Sequence, residues 1–363
     1  MKIIRVHLKE RSYCVCIGRG ILKHLPGYLK SLKLPQELFI VTNSQIKHRF
    51  GFALKSCLKK GGFSSFFYSS IDSEKAKSIT NAVKLVEVLA DYARQKKTAV
   101  LAFGGGVVGD LSSFIASIYK RGVPLVQVPT TLLAQIDSSI GGKTAIDLAI
   151  AKNLVGTFYQ PRLVFCELDF LATLDKRQLR AGMSEAVKYA IIKDEGLFRF
   201  LEENYRQLFF KDMPALTHLV YECARIKSRI VQLDEREERG LRTILNFGHT
   251  IGHAIEAAGN YLKYSHGEAL ALGMLAACRL SQRLGMLDSA AYERILNLIA
   301  KLGLPQEIIA LKEKDVIDAY KLDKKFIGRT NRLVLIKGIG RPVVCENVPQ
   351  EAIHKAIKEL FVY

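Results

Sequence analysis

Short apolar runs separated by stretches of helix length fill the first half of the chain. Residues 38–42 (LFIVT), 98–103 (TAVLAF) and 125–128 read as strands apolar on both faces, the last running into Pro129, Thr130 and Thr131. Between the first two, residues 78–95 set Val83, Val86, Leu89 and Ala90 at helical spacing. Strands buried on both sides and joined by helices predict a parallel sheet covered on each face. Residues 1–18 alternate like one further strand. From about residue 175 the period lengthens, and helical patterns cover 180–193, 213–233, 244–258, 267–284 and 289–302, with a last strand over 332–336. The expected architecture is an α/β domain with a parallel sheet over residues 1–174, followed by a mostly α-helical domain over 175–363. Ligands in open α/β sheets sit outside the carboxyl ends of the strands, so a cleft between the domains is the expected site.

Composition narrows this picture little, apart from the charge. The 363 residues are 49% hydrophobic, without low-complexity tracts. No apolar run approaches the roughly 20 residues needed to cross a bilayer, and the N-terminus lacks the pattern of a secretory signal. Seven cysteines are scattered without a CxxC pair, which suggests reduced thiols in a cytoplasmic protein. The net charge of +19 raises nucleic acid as a partner. Lysines and arginines run from Lys2 to Lys358 without an aromatic-studded basic block, and a small anionic substrate accounts for part of the excess.

Three segments carry candidate chemistry. In LAFGGGVVGD (101–110), Gly104, Gly106 and Gly109 form GxGxxG between a strand and a helix, where bare backbone can approach a pyrophosphate. The layout departs from the usual dinucleotide fold: the strand is a middle one, and Asp110 follows the last glycine directly. A plain tight turn explains the pattern as well. Residues 139–144 (SIGGKT) resemble the end of a P-loop, but Asp137 occupies the place of its first glycine, which excludes an NTPase. Glycines beside Lys143, with Lys152 and Asn153 close behind, still suit an anion. In NFGHTIGHAIE (246–256), His249 and His253 share a helical face and by spacing alone make a pair of metal ligands. His266 is another candidate, and a carboxylate would complete an open site. Glu185, one turn from Lys188 on an apolar helix, fits either that role or a buried ion pair. His7, His24, His48, His218 and His354 have no such neighbours.

With these segments assembled, the chain resembles the 3-dehydroquinate synthases, sugar-phosphate cyclases of the shikimate route to chorismate and aromatic amino acids. The matching stretches are GGGVVGDLSSF, YKRGVPLVQVPTTLLAQIDSSIGGKTAID, KNLVGTFYQP, NFGHTIGHAIE and HGEALALGM. The resemblance implies a nucleotide-binding N-terminal domain holding NAD through Asp72, Ser73, Glu74, Lys75, Ala76 and Lys77. The same cofactor would meet Gly105, Gly106, Val107, Val108, Gly109 and Asp110, then Thr130 and Thr131. Lys143, Lys152, Phe170, Leu171, Ala172 and Thr173 would complete its site. It assigns the metal, normally Zn2+ with Co2+ as a substitute, to Glu185, His249 and His266 in the C-terminal domain, and moves His253 to the substrate. The implied substrate contacts are Arg121, Asp137, Lys143, Asn153, Lys188, Lys227, Arg242, Asn246, His253 and one of Lys324 and Lys325.

The implied reaction is that of a carbon–oxygen lyase acting on a phosphate ester. 3-Deoxy-D-arabino-heptulosonate 7-phosphate is transiently oxidised, loses phosphate by β-elimination, is reduced again and closes by an aldol step to 3-dehydroquinate. A cytoplasmic homodimer without membrane attachment is the implied setting. Three features depart from the pattern: Asn43 stands where the family carries an aspartate for the adenosine ribose, Gln178 where it carries a glutamate, and Glu238 or Arg239 is one extra residue between Lys227 and Arg242. The rival readings are another cyclase, such as a 2-deoxy-scyllo-inosose synthase, a metal-dependent NAD polyol dehydrogenase, and a basic nucleic-acid-binding protein.

Overall fold

The computed structural model describes the chain except residues 72, 149–150, 327–330 and 362–363, with backbone alone at 151 and 323–326. The chain divides into two compact units, Met1–Leu174 with Met213–Arg236, and Asp175–Asp212 with Glu237–Tyr363. A single cut after residue 174 therefore misplaces one segment, because 213–236 groups with the N-terminal residues.

The first unit contains β1 (Lys2–Val6), β2 (Tyr13–Gly18), α1 (Leu25–Ser31), β3 (Glu37–Asn43), α2 (Ser44–Lys60), β4 (Ser64–Ser70) and α3 (Ile79–Tyr92). It continues with β5 (Thr98–Gly104), α4 (Gly106–Ile118), β6 (Leu125–Pro129), β7 (Lys143–Leu148), β8 (Ala151–Phe158) and β9 (Leu163–Glu167). Seven strands make one sheet in the order β1-β2-β9-β6-β5-β3-β4, parallel except at the β1–β2 edge. Alternation along β3 shows why it is covered on both sides. Leu38 and Ile40 join Leu29, Leu54 and Leu58 in one core, whereas Phe39 and Val41 join Leu85, Leu89 and Ile115 in the other. Burying each such side chain contributes about 1.5–3 kcal/mol. After β3 the chain moves outward to β4, then crosses back to β5 on the other flank of β3. That reversal makes the carboxyl ends of β3 and β5, at Asn43 and Gly104, the topological switch point. β7 and β8 form a separate antiparallel hairpin packed on α4.

The second unit contains α5 (Lys176–Lys193), α6 (Glu195–Phe209), α8 (His249–Ala258), α9 (His266–Arg283), α10 (Ser289–Lys301), α11 (Glu313–Phe326), the hairpin β10 (Arg332–Ile336) with β11 (Pro342–Glu346), and α12 (Gln350–Lys358). The remaining helix, α7 (Met213–Leu233), belongs to the first unit. Within the second, α9 packs against α5, α8, α10 and α12. Glycines allow the two closest approaches. A Cβ on Gly273 would stand 2.0 Å from the Gly248 carbonyl oxygen, and one on Gly267 would stand 2.4 Å from Ala181 Cα. The helix expected over 244–258 is broken. A 3-10 turn, Leu241–Asn246, leads to Phe247 and to Gly248 at φ +77°, and α8 begins at His249. A left-handed residue cannot continue a right-handed helix, and glycine adopts that conformation without a Cβ penalty.

Candidate active site

In the first unit the switch point is shaped for a phosphate-bearing ligand. Gly105 caps α4 without a side-chain hydrogen bond, and no acid lies in the first turn, so the first N–H groups keep their positive end for an anion. A Cβ on Gly105 would lie 3.1 Å from Thr131, and one on Gly106 would lie 3.2 Å from Ser138 Oγ, so larger residues would crowd the turn. Thr130 is 1% exposed with its hydroxyl oxygen buried and unpartnered, an orphan that a bound polar group would satisfy. These features fit a dinucleotide. Val108, Ala76, Phe170 and Leu171 bury their side chains in the cores, which leaves main chain as what they offer a ligand. Thr173 accepts a hydrogen bond from Arg49 through its carbonyl at 3.3 Å. Asn43 caps α2, its side-chain oxygen accepting from Ile46 N–H at 2.8 Å. Asp72 lies outside the described residues.

Beside the turn, buried cations are held by carboxylates. Lys227 donates to both the carbonyl and the carboxylate of Asp137, each at 2.7 Å. Asp137 sits in a π-helical turn, Ala134–Ser138, against which α7 packs. The segment read as a P-loop end turns at Gly141 and Gly142, φ +98° and +71°, before Lys143 opens β7. Gly141 N–H donates to Tyr13 Oη at 3.1 Å, and Gln160 Nε2 donates to the Gly141 carbonyl at 3.3 Å and to Glu235 at 3.1 Å. Gln160 and Glu235 escaped the sequence analysis because this support is tertiary. Arg121 is not brought to the glycine turn: it lies beyond the far end of α4, about 20 Å along a helix of that length.

In the second unit α5, α8 and α9 gather Glu185, His249 and His266, whose candidate ligand atoms lie within 4.8 Å of one another. Glu185 is 2% exposed, and its Oε1 stands 3.4 Å from His249 Nε2 and 3.2 Å from His266 Nε2. The far nitrogens face acceptors: His249 Nδ1 the Phe247 carbonyl at 3.3 Å, His266 Nδ1 the Glu256 carboxylate at 3.6 Å. With the imidazoles neutral and protonated at Nδ1, both Nε2 lone pairs would face the carboxylate oxygen, an arrangement that a cation resolves. The trio fits a divalent metal with an open position. The buried ion pair also exists, Lys188 Nζ lying 2.5 Å from Glu185 Oε2, so the two readings of Glu185 are not exclusive.

The electrostatics follow from this crowding. Burial would raise the Glu185 carboxyl, but Lys188 and the two imidazoles hold it well below the usual range. Burial and Lys188 depress His249. His266 resists burial because Glu185 and Glu256 push it up to about 10. Spacing pairs His249 with His253, yet the ligand atoms of His253 converge with Glu256 and His266 in a second group. Glu256, 7% exposed, was missed; its only sequence signal is a carboxylate three residues after His253. Arg242 is buried beside Glu237 at 3.3 Å, Asn246 is exposed in the 3-10 turn, and Lys324 and Lys325 lie on α11 with side chains outside the described residues.

Two family models cover most of the chain, the 3-dehydroquinate synthase N-terminal domain over residues 68–181 and the C-terminal domain over 182–326. A 3-dehydroquinate synthase from Thermoanaerobacter pseudethanolicus is 41% identical over 99% of this chain and 100% of its own length. The chain belongs to the 3-dehydroquinate synthase family. Two solved structures place that family among its structural kin. A 2-epi-5-epi-valiolone synthase from Streptomyces hygroscopicus with NAD+ and Zn2+ bound is 29% identical, with a TM-score of 0.88 over 98% of each chain. A 2-deoxy-scyllo-inosose synthase complexed with carbaglucose-6-phosphate, NAD+ and Co2+ is 25% identical, with a TM-score of 0.85 over 99% of each. Among the described residues no helix is long and apolar enough to cross a membrane.

Proposed function

We propose that the chain converts 3-deoxy-D-arabino-heptulosonate 7-phosphate into 3-dehydroquinate and phosphate, with NAD and a divalent ion of the Zn2+ or Co2+ type. The observation that carries this reading is the convergence of both imidazole Nε2 atoms on the buried Glu185 carboxylate beside Lys188. Identity of 41% to a 3-dehydroquinate synthase, against 25% to the inosose synthase, favours this substrate over that of the rival cyclase. When bound, NAD supplies a reversible hydride acceptor and the ion polarises a substrate oxygen. The chain's own residues bind and orient. Glu185, His249 and His266 hold the ion, with Glu256 fixing the tautomer of His266. The α4 N-terminus, Thr130 and Thr131 seat the pyrophosphate and its riboses. Arg242 and Lys227, both buried, are fixed cations for the substrate carboxylate and phosphate. Asn153, Asn246 and His253 meet its hydroxyls, and Lys188 stays within reach of the polarised oxygen. Holding one flexible substrate through successive steps is where much of the rate enhancement arises.

A cytoplasmic homodimer completes the reading: the seven cysteines form no disulfide among the described residues, which suits a reducing compartment, and the mass in solution tests the dimer. The deciding experiment incubates the protein with the heptulosonate phosphate, catalytic NAD and zinc. Phosphate and dehydroquinate should appear in equal amounts without accumulating NADH. Stoichiometric NADH without phosphate would replace this reading by a polyol dehydrogenase.

A further inference from the structure

Lys77 stands among the residues that family resemblance gives to the cofactor, but its surroundings indicate a different task. Its side chain is 4% exposed, and Nζ lies 2.9 Å from Asp110 Oδ2, 2.5 Å from Asn153 Oδ1, 3.3 Å from Glu74 Oε1 and 4.0 Å from Asp147 Oδ1. An ammonium has three N–H donors and no acceptor. Asp110 and Asn153 each accept one of these and the Glu74 carboxylate stands opposite as an ion pair, so the buried ammonium is committed chiefly to protein groups. Asn153 is held in an unusual way as well. It lies on β8 at φ +53°, left-handed for a residue with a Cβ, and its backbone N–H donates to Asp147 Oδ1 at 2.8 Å. Main chain and side chain are thus gripped at the same spot, the carboxylate of Asp147 on one and the ammonium of Lys77 on the other.

We infer that Lys77 is a positioning residue that fixes the Asn153 amide with its oxygen inward, so that Asn153 presents an NH2 donor to the substrate. The orientation follows from chemistry: an ammonium cannot accept, so the amide must turn its oxygen to Lys77, and Nδ2 points the other way. An NH2 group is a pure donor and suits a hydroxyl or phosphate oxygen, whereas a flipped amide would offer an acceptor to an anion. Through Asp110 the same ammonium ties this hairpin to the first half of α4, so the glycine turn and the Asn153 strand keep one geometry. The inference rests on the proposed role of Asn153 as a substrate contact.

The test compares Lys77→Met, Lys77→Arg, Asn153→Ala and the double variant Lys77→Met/Asn153→Ala in the zinc-loaded enzyme. NAD binding is followed by titration calorimetry and turnover by phosphate release. Lys77→Met should raise KM for the heptulosonate phosphate about tenfold or more, the worth of one charge-assisted hydrogen bond. The NAD dissociation constant and kcat should stay within about threefold. Lys77→Arg, which keeps the charge, should recover part of the loss. The double variant should bind substrate no worse than Asn153→Ala, because the lysine acts through the asparagine. Lys77→Gln, a neutral side chain that keeps a donor for the Asp110 carboxylate, replaces Lys77→Met if the latter does not fold. A tenfold weaker NAD affinity with an unchanged KM would overturn the inference and return Lys77 to the cofactor. Multiplying losses in the double variant would also overturn it. A wild-type enzyme that releases no phosphate would instead remove the functional reading, and the substrate role of Asn153 with it.

Discussion

Replacing Gly273 by alanine tests whether the packing of α8 on α9 sets the metal site. The added Cβ would stand 2.0 Å from the Gly248 carbonyl oxygen and 2.7 Å from Gly252 N. Carbon and oxygen normally approach to about 3.3–3.6 Å, so the two backbones must part by roughly 1.3–1.6 Å. Both obstacles are main chain, and no rotamer change relieves them. His249 follows Gly248 directly and moves with it, while His266 is fixed at the start of α9 by the Gly267–Ala181 contact. A metal site tolerates about 0.2 Å in its ligand distances, far less than that displacement. Overpacking should cost about 1–3 kcal/mol of stability. Zinc affinity should fall about 100-fold, the upper end of what disturbing a ligand's support costs, and phosphate release should fall with it. Competition against a chromophoric chelator measures the affinity, with the thermal midpoint followed in parallel. Gly27→Ala, where a Cβ meets nothing within 4 Å, is the control. A Gly273→Ala protein with wild-type zinc affinity and turnover would refute the claim that this contact spaces the two imidazoles.

Three further outcomes follow from the same geometry. His249→Ala should abolish zinc retention and turnover together while leaving the far-ultraviolet circular dichroism unchanged; full activity without bound metal would remove His249 from the ligand set. In protein stripped of metal, His266 is raised from 6.5 to about 10, so its stabilising contribution is complete below about pH 6.5 and is lost as pH rises toward 10. The thermal midpoint of chelator-treated enzyme should therefore decline across that window, and His266→Gln should flatten this decline. Gly142→Ala forces a Cβ into a left-handed residue and to within 2.7 Å of the Gln160 amide. It should cost about 1–2 kcal/mol from the backbone alone and raise KM by displacing Lys143, as steady-state kinetics on the phosphate substrate would show.

Parts of this arrangement were open to inspection in the sequence because their signals are local. The strands β3, β5 and β6 are apolar on both faces, and the glycine turn after β5 announces itself by composition. The order of strands is not local. β9, a five-residue run with no turn signature of its own, lies between β2 and β6 and is placed there only by tertiary pairing. The hairpin of β7 and β8 was likewise hidden, since Lys143, Lys152 and Asn153 read as a loop for anions. Spacing on one helix coupled His249 to His253, but which nitrogen reaches which carboxylate depends on how α5 and α9 approach α8. The spacing of Glu256 from His253 is too weak a signal to single it out, because Glu256 faces a histidine ten residues away on another helix.

The membership of α7 in the first unit bears on synthesis of the chain. A ribosome that has released residue 174 has supplied every strand of the seven-stranded sheet, yet not the helix that packs against β1 and β2 and carries Lys227 to Asp137. That helix arrives roughly 60 residues later, about 3–12 s at ordinary rates of translation. During this interval the nascent sheet exposes an apolar flank, and the helices of residues 175–212 emerge before their own partners. The first unit therefore cannot close by itself as the chain emerges, and a gene split after residue 174 would leave the first half without α7 and the second half carrying a helix that belongs to the first unit.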